Sequence, residues 1–353
     1  MLEVLRSGQL SLGPVGTRFE EAFAAFVGTR FAAAVSSGTA GLHLGVRLAG
    51  VGPGDEVVTS PFSFVASANC ALYEGAEPVF ADIDPVTLNL DPKAVEAAIT
   101  PRTKAIVPVH IFGLPCDIEA VDAIAKHHGL AVIEDAAEAL GARRRGRAVG
   151  TFGNPAVFAF YPNKQLTTGE GGMVTTDDEE TWRALKSLSN QGRAEGAEWL
   201  RHDRLGFNYR LDDISAAVGV GQLERLADLL ARRAQVAARY DALLASVGAV
   251  TTPAVVAGDE RSWFVYVVLL DEGCDRNQVM EHLRGEGVGC REYLPPIHLQ
   301  PYFRARGHRE GELPVCEQVS RRSLALPFFP QLEQADQERV VETLGRAIEL
   351  AWR

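Results

Sequence analysis

The strongest constraint on this chain is an alternation along its first half. Short runs that are apolar at nearly every position occur at residues 31–35, 56–59, 78–82, 105–109, 131–134, 156–160 and 172–176. Between them, segments 38–49, 67–73, 91–99 and 117–128 carry helical period and capping residues. A strand that is apolar on both sides must be covered on both sides. Helices packed over each face of a mostly parallel sheet achieve that, so the expected fold class is α/β.

The pattern changes after residue 211. One long helix is expected over about 212–246, then a Pro, Gly and Thr segment at 248–259. A strand at 263–270, a helix at 276–285 and a terminal helix from about Gln334 follow. A chain of 353 residues also exceeds what one core fills, roughly 250–300 residues. We therefore expect a large domain over residues 1–250 and a small α+β domain over 251–353.

Charge and cysteine content narrow the function. With 46 acidic residues against 35 basic ones the net charge is −11, whereas tight nucleic-acid binding needs Lys and Arg to neutralise phosphates. The five cysteines form no C-x-x-C pair, which fits free thiols in a reducing compartment and no metal site. His127 and His128 are adjacent on a helical stretch and cannot both face one metal ion. The opening residues show no apolar segment of signal or membrane-spanning length. A cytoplasmic protein without membrane or nucleic-acid partners is expected.

Arginine supplies most of the basic residues, and the lysines are Lys93, Lys104, Lys126, Lys164 and Lys186 alone. Lys can give up its proton when buried and Arg cannot. Lys93, Lys126 and Lys186 lie in amphipathic helical patterns, and Lys104 follows Arg102 ahead of a strand. Lys164 differs, because the apolar run 156–160 delivers it into a loop that continues through Gly169-Glu170-Gly171-Gly172. An amine between a buried strand and a glycine-rich loop is placed to be desolvated, which favours the neutral form that attacks carbonyls.

Two other segments could serve a ligand. Val35-Ser36-Ser37-Gly38-Thr39-Ala40 ends a strand and opens an apolar helix. Free N–H groups and a positive dipole end can hold a phosphate there, or Ser37 can simply cap the helix. The run 130–133 finishes on Glu134-Asp135, at the carboxyl end of a strand, where ligands of open α/β sheets bind and where an Asp can equally cap the next helix. A phosphate cradle, a strand-end acid and a desolvated lysine are together what pyridoxal 5'-phosphate (PLP) requires.

The chain also resembles the DegT/StrS group of sugar-nucleotide aminotransferases, PLP enzymes of the aspartate-aminotransferase fold. The resemblance runs from about Gly13 to the C-terminus. It rests on Ser37-Gly38-Thr39-Ala40, Pro61-Phe62-Ser63-Phe64-Val65-Ala66, Pro108-Val109-His110, Glu134-Asp135-Ala136-Ala137-Glu138, Phe160-Tyr161-Pro162-Asn163-Lys164 and Gly206-Phe207-Asn208-Tyr209-Arg210. It implies a large domain with a mostly parallel mixed sheet and a small C-terminal domain.

Carried over by position, the resemblance implies that Lys164 forms the Schiff base with PLP and then shuttles the proton. It implies that Asp135 pairs with the pyridinium, Phe64 stacks on the ring, Gly38 and Thr39 bind the phosphate, and Glu138 lies near the ring hydroxyl. Asn208 and Arg210 match a segment that reaches the phosphate of a partner subunit, which implies a homodimer with shared active sites. Tyr293 and His298 match a substrate-side loop and are candidate sugar contacts; a packed His in a Pro-rich loop fits that segment equally.

One position departs from the pattern. The family usually has Ser five residues before the lysine, on the phosphate; here it is Ala159, so Thr39, Asn208 or a water must compensate. Relatives that dehydrate the sugar at C-3 carry His in place of the lysine, so the resemblance implies amination of a nucleotide-linked keto sugar, with glutamate as donor. Thr167-Thr168-Gly169-Glu170-Gly171-Gly172 and Trp199-Leu200-Arg201-His202-Asp203 resemble members that aminate C-4 of a 4-keto-6-deoxy sugar. Amination at C-3, amination of a cyclitol or other ketone, and a non-catalytic PLP-binding regulatory protein are the alternatives.

Overall fold

The computed structural model describes the chain except for residues 154, 195, 197–199, 352 and 353; Trp199 of the run just quoted therefore lies outside the described residues. The apolar runs form one central sheet. Its strands are β1 (Phe31–Val35), β2 (Glu56–Thr59), β3 (Glu77–Phe80), β4 (Thr103–Val107), β5 (Ala131–Val132), β6 (Glu134–Asp135), β7 (Ala156–Ala159) and β8 (Gly172–Thr176). They pair in the orders β3-β2-β4-β5 and β6-β7-β8-β1. The two sets are continuous, because the Ile133 N–H bonds to Ile106 O at 3.0 Å and Val109 bridges to Asp135 in parallel. The expected single strand at 131–134 is thus one path broken at Ile133, with β5 on β4 and β6 on β7.

Only β8 runs against its neighbours. A parallel partner would need a crossover of a dozen residues or more, whereas β7 returns directly into β8 through residues 160–171. That return places the loop holding Lys164 at the edge where β1, β2, β4, β6 and β7 all end. Both faces of the sheet are buried, as the continuous apolar runs require. Successive residues go to opposite sides: Ala33, Val157 and Val174 join one core, and Ala32, Phe158 and Met173 join another.

The long helix expected over 212–246 is two helices, Asp213–Glu224 and Leu226–Leu244, separated at Arg225 with φ −106 and ψ 0. The two halves serve different partners. The first packs on the helix Pro14–Val27 beside the sheet, and the second packs on the terminal helix Gln334–Ala351. Helical period alone cannot show such a change of partner. A separate core holds Tyr240, Tyr266, Leu283, Leu324 and Leu344 around an antiparallel sheet of Val250–Thr251, Tyr266–Leu270 and Ser323–Leu326. The strand at 323–326 is not anticipated from the sequence. No described helix is long and apolar enough to cross a membrane.

Candidate active site

The loop between β7 and β8 is closed by Phe160 N–H to Gly171 O (2.9 Å) and Thr168 N–H to Phe160 O (3.0 Å). Gly171 has a φ of 157°, and a Cβ there would run into the Thr168 hydroxyl, so this turn needs glycine. Lys164 sits inside the loop with its side chain 13% exposed. Its Nζ lies 3.4 Å from Glu138 Oε1 and 4.0 Å from the centre of the Phe264 ring. Glu138 Oε2 in turn accepts the Phe112 N–H at 2.9 Å. Burial pushes the Glu138 carboxyl up from its ordinary value, against the pull of Lys164 and that N–H.

Asp135 closes β6 and is buried. Its Oδ2 accepts the Ser67 hydroxyl at 2.7 Å and its Oδ1 the Ala137 N–H at 3.1 Å. Burial raises its pKa, while Ser67, Ala137, Lys164 and His110 favour its charge. His110 backs the same strand end: its Nδ1 accepts the Cys116 N–H at 3.0 Å, which leaves Nε2 as the protonated nitrogen, 3.2 Å from Glu134 Oε2.

At the end of β1, Ser37 caps the helix Gly38–Leu48 by accepting the Ala40 N–H at 3.1 Å. The N–H groups of Gly38 and Thr39 have no intrahelical acceptor and open toward the site. A Cβ on Gly38 would stand 2.7 Å from the Cβ of Ala159. Glycine therefore lets the helix start abut the end of β7, and the departure at Ala159 falls in this same cradle.

The structure brings Lys164, Asp135 and Glu138 together, with Gly38 and Thr39 on the adjoining strand end. Tyr293 joins them from the C-terminal part: it packs on Phe112 and Phe264 at 5.6 and 6.3 Å between ring centres, and burial, then Glu138, raises its hydroxyl pKa. Phe64 is 63% exposed, at the mouth of a cleft of about 910 Å³ shared with Tyr73, Pro295 and Tyr302. Asn208 is exposed, and Arg210 Nη1 is engaged by the side chains of Asn190 and Gln191 at 2.9 and 2.6 Å. Tyr209 O ties this segment to the Ser36 N–H at 2.7 Å, just ahead of the cradle.

His298 stands apart from these groups, in the arrangement of the packed-histidine alternative. It is fully enclosed in its Pro-rich loop, with Nε2 3.0 Å from Glu317 Oε1. Sequence reasoning missed Phe264, whose ring carries the Lys164 amine, and Arg233. Arg233 donates to the carbonyls of Lys164 (3.3 Å) and Phe264 (3.1 Å). Burial lowers its pKa to about 10. The signal available for Arg233 was weak, one arginine among several on a helix.

The model of the DegT/DnrJ/EryC1/StrS aminotransferase family matches residues 1–345. The spore coat polysaccharide biosynthesis protein SpsC of Bacillus subtilis (strain 168) is 42% identical, over 97% of this chain and 92% of its own. The GDP-perosamine synthase of Caulobacter vibrioides is 41% identical, over 96% and 91%. The crystal structure of S. venezuelae DesV in complex with a ketimine intermediate superposes with a TM-score of 0.94 at 37% identity, covering 99% of this chain and 93% of that one.

Proposed function

Because the chain belongs to the DegT/DnrJ/EryC1/StrS aminotransferase family and is a sugar aminotransferase that works with PLP, we propose that it aminates C-4 of a nucleotide-linked 4-keto-6-deoxyhexose, with glutamate as donor. The observation that carries the aminotransferase chemistry of this reading is the Lys164 amine held 3.4 Å from Glu138 and within electrostatic reach of Asp135, beside the Gly38 cradle. These groups fit the cofactor. A buried carboxylate suits a protonated ring nitrogen, a glycine start to a helix suits a phosphate, and a lysine amine with little exposure suits imine chemistry.

When bound, PLP supplies the electron sink that lets an amino group pass from donor to ketone. Asp135 holds the proton at the ring nitrogen. Gly38 and Thr39 offer their N–H groups, and the Thr39 hydroxyl, to the phosphate. Phe64 covers a ring face, and Glu138 meets the ring hydroxyl. Lys164 Nζ would carry the proton from the donor's α-carbon to the cofactor, and in the second half-reaction from the cofactor to the sugar carbon. Tyr293 lines the side from which the sugar enters.

The exposure of Phe64 and Asn208 in a single chain supports a homodimer in which Asn208 and Arg210 of one copy complete the site of the other. The relative named GDP-perosamine synthase supports the C-4 position. With a net charge of −11, the chain must meet the substrate's diphosphate through local Arg and backbone donors. The five cysteines, all buried and unpaired, support a cytoplasmic setting.

The test runs the two half-reactions in turn. Glutamate should bleach the visible band of the PLP-loaded protein. A panel of nucleotide 4-keto and 3-keto sugars and cyclitol ketones should then be offered, and the product's aminated carbon read by NMR. Recovery of the band only with 3-keto sugars or cyclitols would overturn the C-4 reading.

A further inference from the structure

Asp135 is reached by a chain of hydroxyls to which nothing so far assigns a role. Ser63 and Ser67 stand four residues apart where the chain leaves β2 and enters the helix Ala66–Tyr73, so their side chains meet. The two Oγ atoms are 2.8 Å apart, and Ser67 Oγ is 2.7 Å from Asp135 Oδ2. All three residues are buried, with Ser67 at 0% exposure. An ionised carboxylate only accepts, so the Ser67 proton points to Asp135; Ser67 has one proton, so Ser63 must donate to Ser67. The run is therefore polarised toward Asp135. If Asp135 took up a proton, the order would reverse, with Asp135 donating to Ser67 and Ser67 turning to Phe64 O at 3.2 Å.

We propose that Ser63 and Ser67 form a positioning relay, which keeps the enclosed Asp135 ionised and holds its carboxylate in a fixed orientation for the cofactor's ring nitrogen. The proposal rests on the reading of Asp135 as the partner of that nitrogen. The surroundings make such a relay necessary. Among the described residues, Ser67 and the Ala137 N–H are the two hydrogen-bond donors to Asp135. Burial and Glu138 oppose its charge, while Lys164 and His110 favour it. The Cys70 thiol on the same helix cannot help, since burial pushes it up to about 12, with Asp135 adding to the rise. A charge-assisted hydrogen bond contributes more than a neutral one and is costly to delete. The same helix entry carries Phe64, so the relay also ties the group that covers the ring to the group that pairs with its nitrogen.

The experiment measures PLP affinity and its pH dependence for the full chain and for Ser67→Ala, Ser63→Ala and the double variant. Thermal unfolding of each ligand-free protein is followed over the same pH range. Ser67→Ala should weaken PLP about tenfold and Ser63→Ala about threefold, the range expected for one charge-assisted bond and for a neutral bond behind it. The double variant should be no weaker than Ser67→Ala, because Ser63 acts through Ser67. Losing the donor raises the Asp135 pKa, so as pH falls PLP should be lost at a higher pH in Ser67→Ala than in the wild type. The ligand-free unfolding curve should shift in the same direction. Losses that simply add, or an acid limb that stays in place, would overturn the relay. If Ser67→Ala does not fold, Ser63→Ala alone decides, by whether its acid limb moves. Asp135→Asn separates the underlying reading: if that variant keeps wild-type PLP affinity and acid limb, the role of Asp135 itself falls, whatever the serine variants do.

Discussion

A methyl group at Gly38 tests the cradle directly. In Gly38→Ala the new Cβ would stand 2.7 Å from the Cβ of Ala159 and 3.5 Å from its Cα. Carbon atoms meet comfortably at about 3.5–4.0 Å, so the first contact is about 0.8 Å too short. Neither atom belongs to a flexible side chain, so the helix start and the end of β7 must move apart. Overpacking of this kind costs about 1–3 kcal/mol, and disturbing the Ser37 cap adds about 1 kcal/mol. We expect about 2–4 kcal/mol lost in denaturant unfolding of the ligand-free protein. PLP affinity should fall at least about tenfold, since the Gly38 and Thr39 N–H groups move with the helix. Adding Ala159→Gly removes the offending Cβ and leaves the 3.5 Å contact. The double variant should recover PLP affinity and most of the stability, less about 1 kcal/mol for a glycine within a strand. Wild-type affinity in Gly38→Ala, or a double variant no better than the single one, would refute the argument.

Two further outcomes follow from burial. Burial raises the Glu138 carboxyl pKa above its ordinary 4.5, so the folded ligand-free chain holds that proton more tightly than the unfolded one. The resulting stability is complete below pH 4.5 and is lost as pH rises through the folded value. Relative to wild type, Glu138→Gln should therefore gain stability across that rise and then level off; a gap in unfolding midpoint that is constant with pH would contradict the direction. His298→Ala should cost roughly 2–3 kcal/mol of stability through a cavity and a deserted Glu317 while leaving the KM for the keto sugar unchanged. A raised KM in a fully stable variant would instead mark His298 as a sugar contact.

The parts of the fold that were legible in the sequence are those set by local pattern. A run such as 172–176 is apolar throughout because both of its faces are buried, and that is visible without knowing its direction. Its reversed direction was not visible, because it depends on the return through residues 160–171 instead of on any residue in the strand. The break at Arg225 was hidden for a similar reason, since both helices keep the same period while packing on different partners. Within the site, Lys164 stood out because lysine is scarce and its neighbours are a buried strand and a glycine loop. Phe264 and Arg233 did not, because they reach Lys164 from residues far along the chain and carry no motif of their own. Ser67 lay one residue beyond a quoted motif, and only its 2.7 Å distance to Asp135 gives it a role.

Lys164 is the residue we propose to be joined to the cofactor. Reducing the PLP-loaded protein with borohydride converts an imine into a stable secondary amine, and peptide mapping by mass spectrometry then identifies the lysine that carries the pyridoxyl group. The label is expected on Lys164 and on none of Lys93, Lys104, Lys126 and Lys186. A label on one of those four, or PLP retained with no lysine labelled, would contradict it.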